Sequence, residues 1–118
     1  MSLAERIEAA TGPDRELDAA IDALLGWSPV PNPTMAGGLI DMMHGPGGVT
    51  VRRNTPAYTG SIDAAMMLVA GLEGRSVWQV RTMLDHACYN AIKPRSTAAD
   101  LAKDLPRYIA AAAIRSQP

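Results

Sequence analysis

The most chemically suggestive part of the chain is a glycine-rich stretch flanked by basic residues. Glycine lets backbone amides turn toward an anion, and guanidinium groups bind phosphate oxygens through paired hydrogen bonds. The stretch lacks the Gly-Lys-Ser/Thr ending of a P-loop and precedes a strand-like segment instead of a helix. We therefore predict an anion-binding loop, with a solvated surface turn as the alternative. Its residues are His44, Gly45, Gly47, Gly48, Arg52 and Arg53.

A second candidate contact consists of Trp78 and Arg81. An indole beside a guanidinium can stack a base or a ribose, so we include both residues in the predicted ligand-binding set. The alternative is that Trp78 anchors the core, because large aromatic side chains dominate burial in a chain that contains no Phe.

Nucleophilic catalysis would need a cysteine or serine with a histidine and an orienting acid. Asp85, His86 and Cys88 lie close together in sequence, and alternate residues of a strand project to the same face. A small cysteine hydrolase is therefore one hypothesis, and a buried strand cysteine beside a turn histidine is the other. His44 and His86 have no metal-ligand spacing. We predict no catalytic residue, no metal site and no cofactor.

The helices that would position these residues are marked by caps and breakers. The sequence predicts helices that open at Ser2 with Glu5, at Pro13, and at Thr59 or Ser61. Gly26 and Gly71 end the second and the third of them. A further helix is capped by Ser96 or Thr97 with Asp100, and Pro106 interrupts it before a final segment over 107–115.

The strand predictions come from alternation and from β-branched or aromatic residues. Residues 27–57 are rich in Gly and Pro, with one short helical turn predicted at 35–43 and a brief strand at 49–53. Residues 77–84 and 87–92 read as a hairpin around Asp85 and His86. The predicted fold class is α+β, a single domain in which a small antiparallel sheet is flanked by helices.

Size and composition are those of one globular domain. A chain of 118 residues with 47% hydrophobic and 19% charged residues can build one core and is unlike a disordered chain. Because it has no Phe and seven Met, we expect the core to rely on flexible thioethers and small residues.

The expected location and partners follow from what the sequence lacks. The start does not resemble a signal peptide, no run approaches the roughly 20 apolar residues of a membrane span, and Cys88 has no cysteine to pair with. We therefore expect a cytoplasmic protein without a membrane partner. A pI near 6.0 argues against nucleic acid as a ligand.

Three segments of the chain are distinctive as a set: LAERIEAATGPDRELD at 3–18, PAYTGSIDAAM at 56–66, and LPR at 105–107 before an Ala-rich helix. In them the chain resembles a family of small phage and prophage proteins of unknown function that carry an α-β-α sandwich domain. The resemblance implies helices flanking a small sheet, a viral origin and, with it, the host cytoplasm. It implies no catalytic residue.

The predicted helices also carry more apolar and small residues than a thin two-layer domain can cover. These residues lie at 66–68 and 110–113, and a homo-oligomer would cover them. Our first hypothesis is a non-catalytic, phage-encoded binding module that captures a small anionic, nucleotide-like ligand such as a host-defence signal. The second is a protein-interaction factor that modulates a host or virion protein, and the third is the cysteine hydrolase.

Overall fold

The computed structural model describes residues 1–29, 42–52, 54–72, 74–93 and 97–117, with residues 42 and 50–52 described by their backbone alone. Within this part, the chain is mostly helical and has a small antiparallel sheet. Its helices are α1 (Leu3–Ala9), α2 (Arg15–Leu24), α3 (Ile62–Ala70), α4 (Val77–Ile92) and α5 (Ala98–Arg115). Its strands are β1 (Ser28–Pro29), β2 (Met42–His44) and β3 (Thr50–Arg52).

Side-chain caps fix where the helices begin. Ser2 and Glu5 form the predicted capping box of α1, and the hydrogen bonds with Ser2 lower the pKa of Glu5. Ser61 caps α3, and Thr97 caps α5 by accepting the Asp100 amide. For α2 the predicted start shifts by two residues, because the carboxylate of Asp14 accepts the first free amides of the helix.

The sheet has the order β1-β2-β3 and is antiparallel throughout. Ser28 pairs with His44, and His44 pairs in turn with Thr50. The brief strand predicted at 49–53 is therefore confirmed over residues 50–52. Val49 belongs to the turn before the strand, and Arg53 lies outside the described residues. The helical turn predicted at 35–43 lies mostly outside the described residues, and its last two positions belong to β2.

The predicted hairpin over 77–92 is wrong, because this segment is the single helix α4. A capping box of Ser76 and Gln79 starts the helix, and its buried or half-buried apolar residues recur at helical spacing toward α5. Those residues are Val80, Leu84, Ala87 and Ala91. Most of the β-branched and aromatic residues that favoured a strand lie on the opposite, exposed side, where they make no sheet contacts that would favour a strand: Val77, Trp78, Tyr89 and Ile92.

The interruption predicted at Pro106 is also wrong, because α5 continues through it. Proline removes the hydrogen bond to the carbonyl four residues earlier, which here belongs to the exposed residue Ala102 and can be hydrated. The residues that follow Pro106 are buried against α1, α3 and α4, and this packing offsets the lost bond.

The Ala-rich half of α5 is the centre of the core. Ala110, Ala111 and Ala113 are completely buried, and α1, α3 and α4 all pack on this helix. The prediction that the domain cannot cover residues 110–113 by itself is therefore wrong, because three helices pack on this part of α5. Of the other predicted face, Leu68 is buried, while Met66 and Met67 are partly exposed.

Two of the distinctive sequence segments meet in a buried hydrogen-bond network. Asp18 accepts hydrogen bonds from the backbone amide and the hydroxyl of Thr59, both at 2.8 Å. Asp22 accepts one from the Tyr58 hydroxyl at 2.7 Å. All four side chains are at most 1% exposed. The segments at 3–18 and 56–66 thus join α2 to the turn before α3, which is a structural role.

No helix in the described ranges is long and apolar enough to cross a membrane.

Candidate functional site

The predicted glycine loop is the tight connection between β2 and β3. Gly47 and Gly48 both have φ of +82°, in the left-handed region that glycine tolerates. The Gly45 amide donates to the Val49 carbonyl at 2.7 Å, and the Gly48 amide donates to the Gly45 carbonyl at 3.1 Å. These two amides close the turn, so neither is available to an anion without opening it.

The other predicted loop residues lie on the flanking strands. His44 is half-buried at the end of β2, and Arg52 ends β3 with only its backbone described. Arg53 lies outside the described residues. An anion site at this loop therefore stays a prediction. The Gly45 and Gly48 amides are hydrogen-bonded within the turn, so fewer amides could bind an anion than the sequence suggested.

A neighbouring indole holds the loop in place. Trp27 lies against Gly45, so a Cβ at Gly45 would come within 2.9 Å of Cη2 and Cζ3 of the ring. Pro46 packs over Gly26, with its Cγ 3.5 Å from a Cβ built there. The hairpin is thus fixed to the connection between α2 and β1.

We expect Gly45→Ala to lower the free energy of unfolding by about 1 to 3 kcal/mol, because the added methyl forces Trp27 or the backbone to move. Gly12→Ala is the matched control, since a Cβ at Gly12 would meet nothing within 4 Å. Chemical denaturation of the two variants measures the difference. Equal stabilities would show that Trp27 does not rest on Gly45.

Trp78 and Arg81 form a pair on α4, away from the core. The Trp78 side chain is 71% exposed, so the alternative in which it anchors the core is wrong. The guanidinium carbon of Arg81 lies 5.7 Å from the centroid of the indole ring, and Arg81 Nε lies 3.9 Å from a carboxylate oxygen of Asp85. Arg81 thus contacts both Trp78 and Asp85, and all three residues lie on α4, outside the β2–β3 connection that holds the glycine loop.

The helical conformation of 77–92 also changes the cysteine hypothesis. Residues two apart on a helix project about 200° apart, so Cys88 and His86 lie on nearly opposite sides of α4. The two side chains therefore do not project from a common face, as they would on a strand. Within the described parts of the chain, no three His, Cys, Asp or Glu side chains come together as a metal site would need.

α4 carries a stripe of polar side chains that the predicted hairpin concealed. Gln79, Thr82, His86 and Asn90 are spaced by three, four and four residues, which places them on one side of the helix. All four are exposed, and all four line a groove between α4 and α5.

The opposite wall of this groove comes from α5 and α1. It is formed by Tyr108, Ala112, Arg115 and Ser116, together with Glu8 of α1. Met83 and Ala87 add apolar surface at the α4 side. The groove encloses about 340 Å³ and adjoins a second hollow of about 200 Å³, and the two share Gln79, Met83, Arg115 and Ser116.

Arg115 and Arg75 give this end of the molecule its positive charge. Arg115 donates a hydrogen bond to Glu8, which ties α5 to α1 and raises the pKa of the Arg115 guanidinium. Arg75 lines the smaller hollow and donates to the Ser116 carbonyl at 2.6 Å. Among the described residues that line the combined groove, two guanidinium groups stand against one carboxylate, an excess of one positive charge.

The groove lies outside the predicted site residues, although the sequence contains one signal for it. The capping box at Ser76 and Gln79 predicts a helix start, and a helix through 77–92 brings the polar residues into one stripe. The facing wall could not be foreseen, because it depends on how α5 and α1 pack against α4.

Comparisons of the chain with protein-family models, with curated proteins and with solved structures find no match. The resemblance to small phage proteins therefore stays a prediction that rests on residues 3–18, 56–66 and 105–107.

Proposed function

We propose that this protein is a non-catalytic binding module that captures a small anionic, nucleotide-like molecule in the groove between α4 and α5. The observation that carries the proposal is the groove itself, in which four polar side chains of one helix face an arginine and a tyrosine of another. The phage origin and the sandwich arrangement that the resemblance implies belong to this proposal as well.

The volume and the chemistry of the groove fit such a ligand. Small-molecule sites typically enclose about 300 to 1,000 Å³, with apolar surface and a few convergent polar groups. Here Met83, Ala87 and Ala112 supply the apolar surface. The side-chain amides and the imidazole of the α4 stripe supply hydrogen bonds to a ring or a sugar, and the Thr82 hydroxyl, which donates to the Trp78 carbonyl, can accept one.

The charge of the groove favours an anion. Arg115 lies in the wall shared by both hollows, and Arg75 extends the positive end. Guanidinium groups bind phosphate and carboxylate through paired hydrogen bonds. A nucleotide-derived host-defence signal combines a flat polar ring, which the α4 stripe could contact, with a phosphate, which the guanidinium groups could bind. Stoichiometric capture of such a molecule needs affinity and no catalysis.

The glycine loop is the competing location for the same activity. Two of its amides are engaged in the turn, whereas the α4 stripe and Arg115 line an open hollow of sufficient size. We therefore favour the groove over the set of His44, Gly45, Gly47, Gly48, Arg52 and Arg53.

Titration of isotope-labelled protein with AMP, followed by NMR, tests the proposal. We expect saturable shifts of the Gln79 and Asn90 side-chain amides and of the backbone amides along the groove face of α4. Inorganic phosphate alone is expected to bind more weakly, because it lacks the ring that the stripe would contact.

Two results would count against the proposal. Shifts confined to residues 44–49 would move the site to the glycine loop. The absence of saturable shifts with AMP at about 10 mM, well above the concentrations at which small-molecule sites fill, would remove nucleotide capture altogether.

A further inference from the structure

The outer face of α4, on the side of the helix away from α5, is apolar and exposed. Val77 is 82% exposed, Trp78 71%, Tyr89 65% and Ile92 52%. The opposite side of the same helix packs on α5, and the groove stripe runs along a third side. Large apolar side chains gathered on one exposed face are typical of a protein contact surface.

Two opposite charges lie within this apolar face. Arg81 and Asp85 are both about two-thirds exposed and form a loose pair at 3.9 Å within the helix. They stand at equal distances on either side of position 83. A helix with this arrangement is complementary to a second copy of itself that runs in the opposite direction.

We propose that the chain forms a two-fold symmetric dimer in which the α4 helices of two copies pack antiparallel about position 83. In this register Arg81 faces the partner's Asp85, and Asp85 faces the partner's Arg81. A two-fold interface uses the same patch on both copies, so one favourable pair necessarily occurs twice.

The same register brings the apolar residues together. Val77 lies opposite the partner's Tyr89, and Trp78 lies opposite the partner's Cys88. Aromatic side chains buried in an interface contribute much of its binding energy. The register therefore buries Trp78 and Tyr89 while it pairs both charges.

The reciprocal charges favour a second copy over an unrelated partner. A lipid surface would have to bury Asp85 in the middle of the apolar face, which carries a large desolvation cost. The dimer gives each of these charges an opposite charge instead. Because α4 is only about 24 Å long, its contact area is below that of a standard interface, and we expect a dissociation constant in the micromolar range.

Charge exchange combined with mixing tests this arrangement. Sedimentation equilibrium of the full chain from about 1 µM to about 1 mM should show a monomer–dimer equilibrium. Arg81→Glu and Asp85→Lys should each weaken self-association by about 100-fold, because both reciprocal pairs become repulsive. An equimolar mixture of the two variants should form a heterodimer, since each charge then meets its opposite.

Met67→Gln is the control, because it removes a 57% exposed apolar side chain from α3 and should leave dimerisation unchanged. Circular dichroism checks that the α4 variants keep their helix content. A wild type that stays monomeric at about 1 mM, charge variants that dimerise as the wild type does, or a mixture that stays monomeric would each overturn the proposal.

Discussion

Asp18→Ala is expected to lower the free energy of unfolding by about 2 to 3 kcal/mol, because it removes the acceptor of the buried Thr59 amide and leaves the Thr59 hydroxyl the more distant Asp14 carbonyl, at 3.2 Å. The Thr59 amide and hydroxyl are completely shielded from solvent, so water cannot replace the lost carboxylate. The substitution also removes the pair between Asp18 and Arg15, but the Arg15 side chain is 61% exposed and can be hydrated. Chemical denaturation of the purified variant measures the loss.

Two further variants show whether a loss of stability comes from the buried hydrogen bonds or from a change in helix propensity. Glu16→Ala changes an exposed residue of the same helix and should alter stability by no more than about 0.5 kcal/mol. Asp18→Asn keeps one acceptor oxygen, so its loss should lie between the other two. An Asp18→Ala variant as stable as Glu16→Ala would show that the carboxylate does not hold Thr59.

The second large effect concerns the groove. Changing His86 and Asn90 together to alanine should weaken AMP binding about 30-fold, because each lost hydrogen bond contributes about 1 kcal/mol. Both side chains are exposed and neither takes part in a helix cap, so stability should be nearly unchanged. Calorimetric titration of the parent and of the double variant measures the ratio of affinities.

The control for this prediction is the competing site. Arg52→Ala with Arg53→Ala should leave AMP affinity as it is in the parent. The opposite pattern, in which the loop variant loses binding and the groove variant keeps it, would assign the ligand to the glycine loop.

Local chemistry made much of the fold predictable. Ser2 with Glu5, Ser61, and Thr97 with Asp100 each mark a helix start, because a cap acts within one turn of its own helix. Gly26 follows α2 with φ of +94°, as a helix stop requires.

The errors arose where tertiary packing overrides local preference. Four residues of α4 favour strands by type, yet they lie on the exposed side of the helix: Val77, Trp78, Tyr89 and Ile92. The packing of Val80, Ala87 and Ala91 on the other side sets the position of this helix. Pro106 breaks a helix in isolation, but α5 is held by its contacts with three other helices.

The candidate site could be predicted only in part for the same reason. The polar stripe of α4 is visible in sequence once the segment is known to be helical. Its pairing with Tyr108 and Arg115 is a property of the packed structure. The segments at 3–18 and 56–66 contribute Asp18, Tyr58 and Thr59 to the buried hydrogen-bond network, so these residues inform about fold more than about activity.

Capture of a small anion by the groove can be tested by identifying the small molecules that stay bound when the protein is purified from cells. The parent, the His86 and Asn90 double variant and the Arg52 and Arg53 double variant are purified natively from bacteria that produce nucleotide-derived signals. Each is then denatured, and the released small molecules are identified by mass spectrometry. We predict a phosphate-bearing molecule, about one per chain as a single site requires, from the parent and the loop variant and none from the groove variant. Release of the same molecule by the groove variant, or of nothing by the parent, would show that the groove does not capture it.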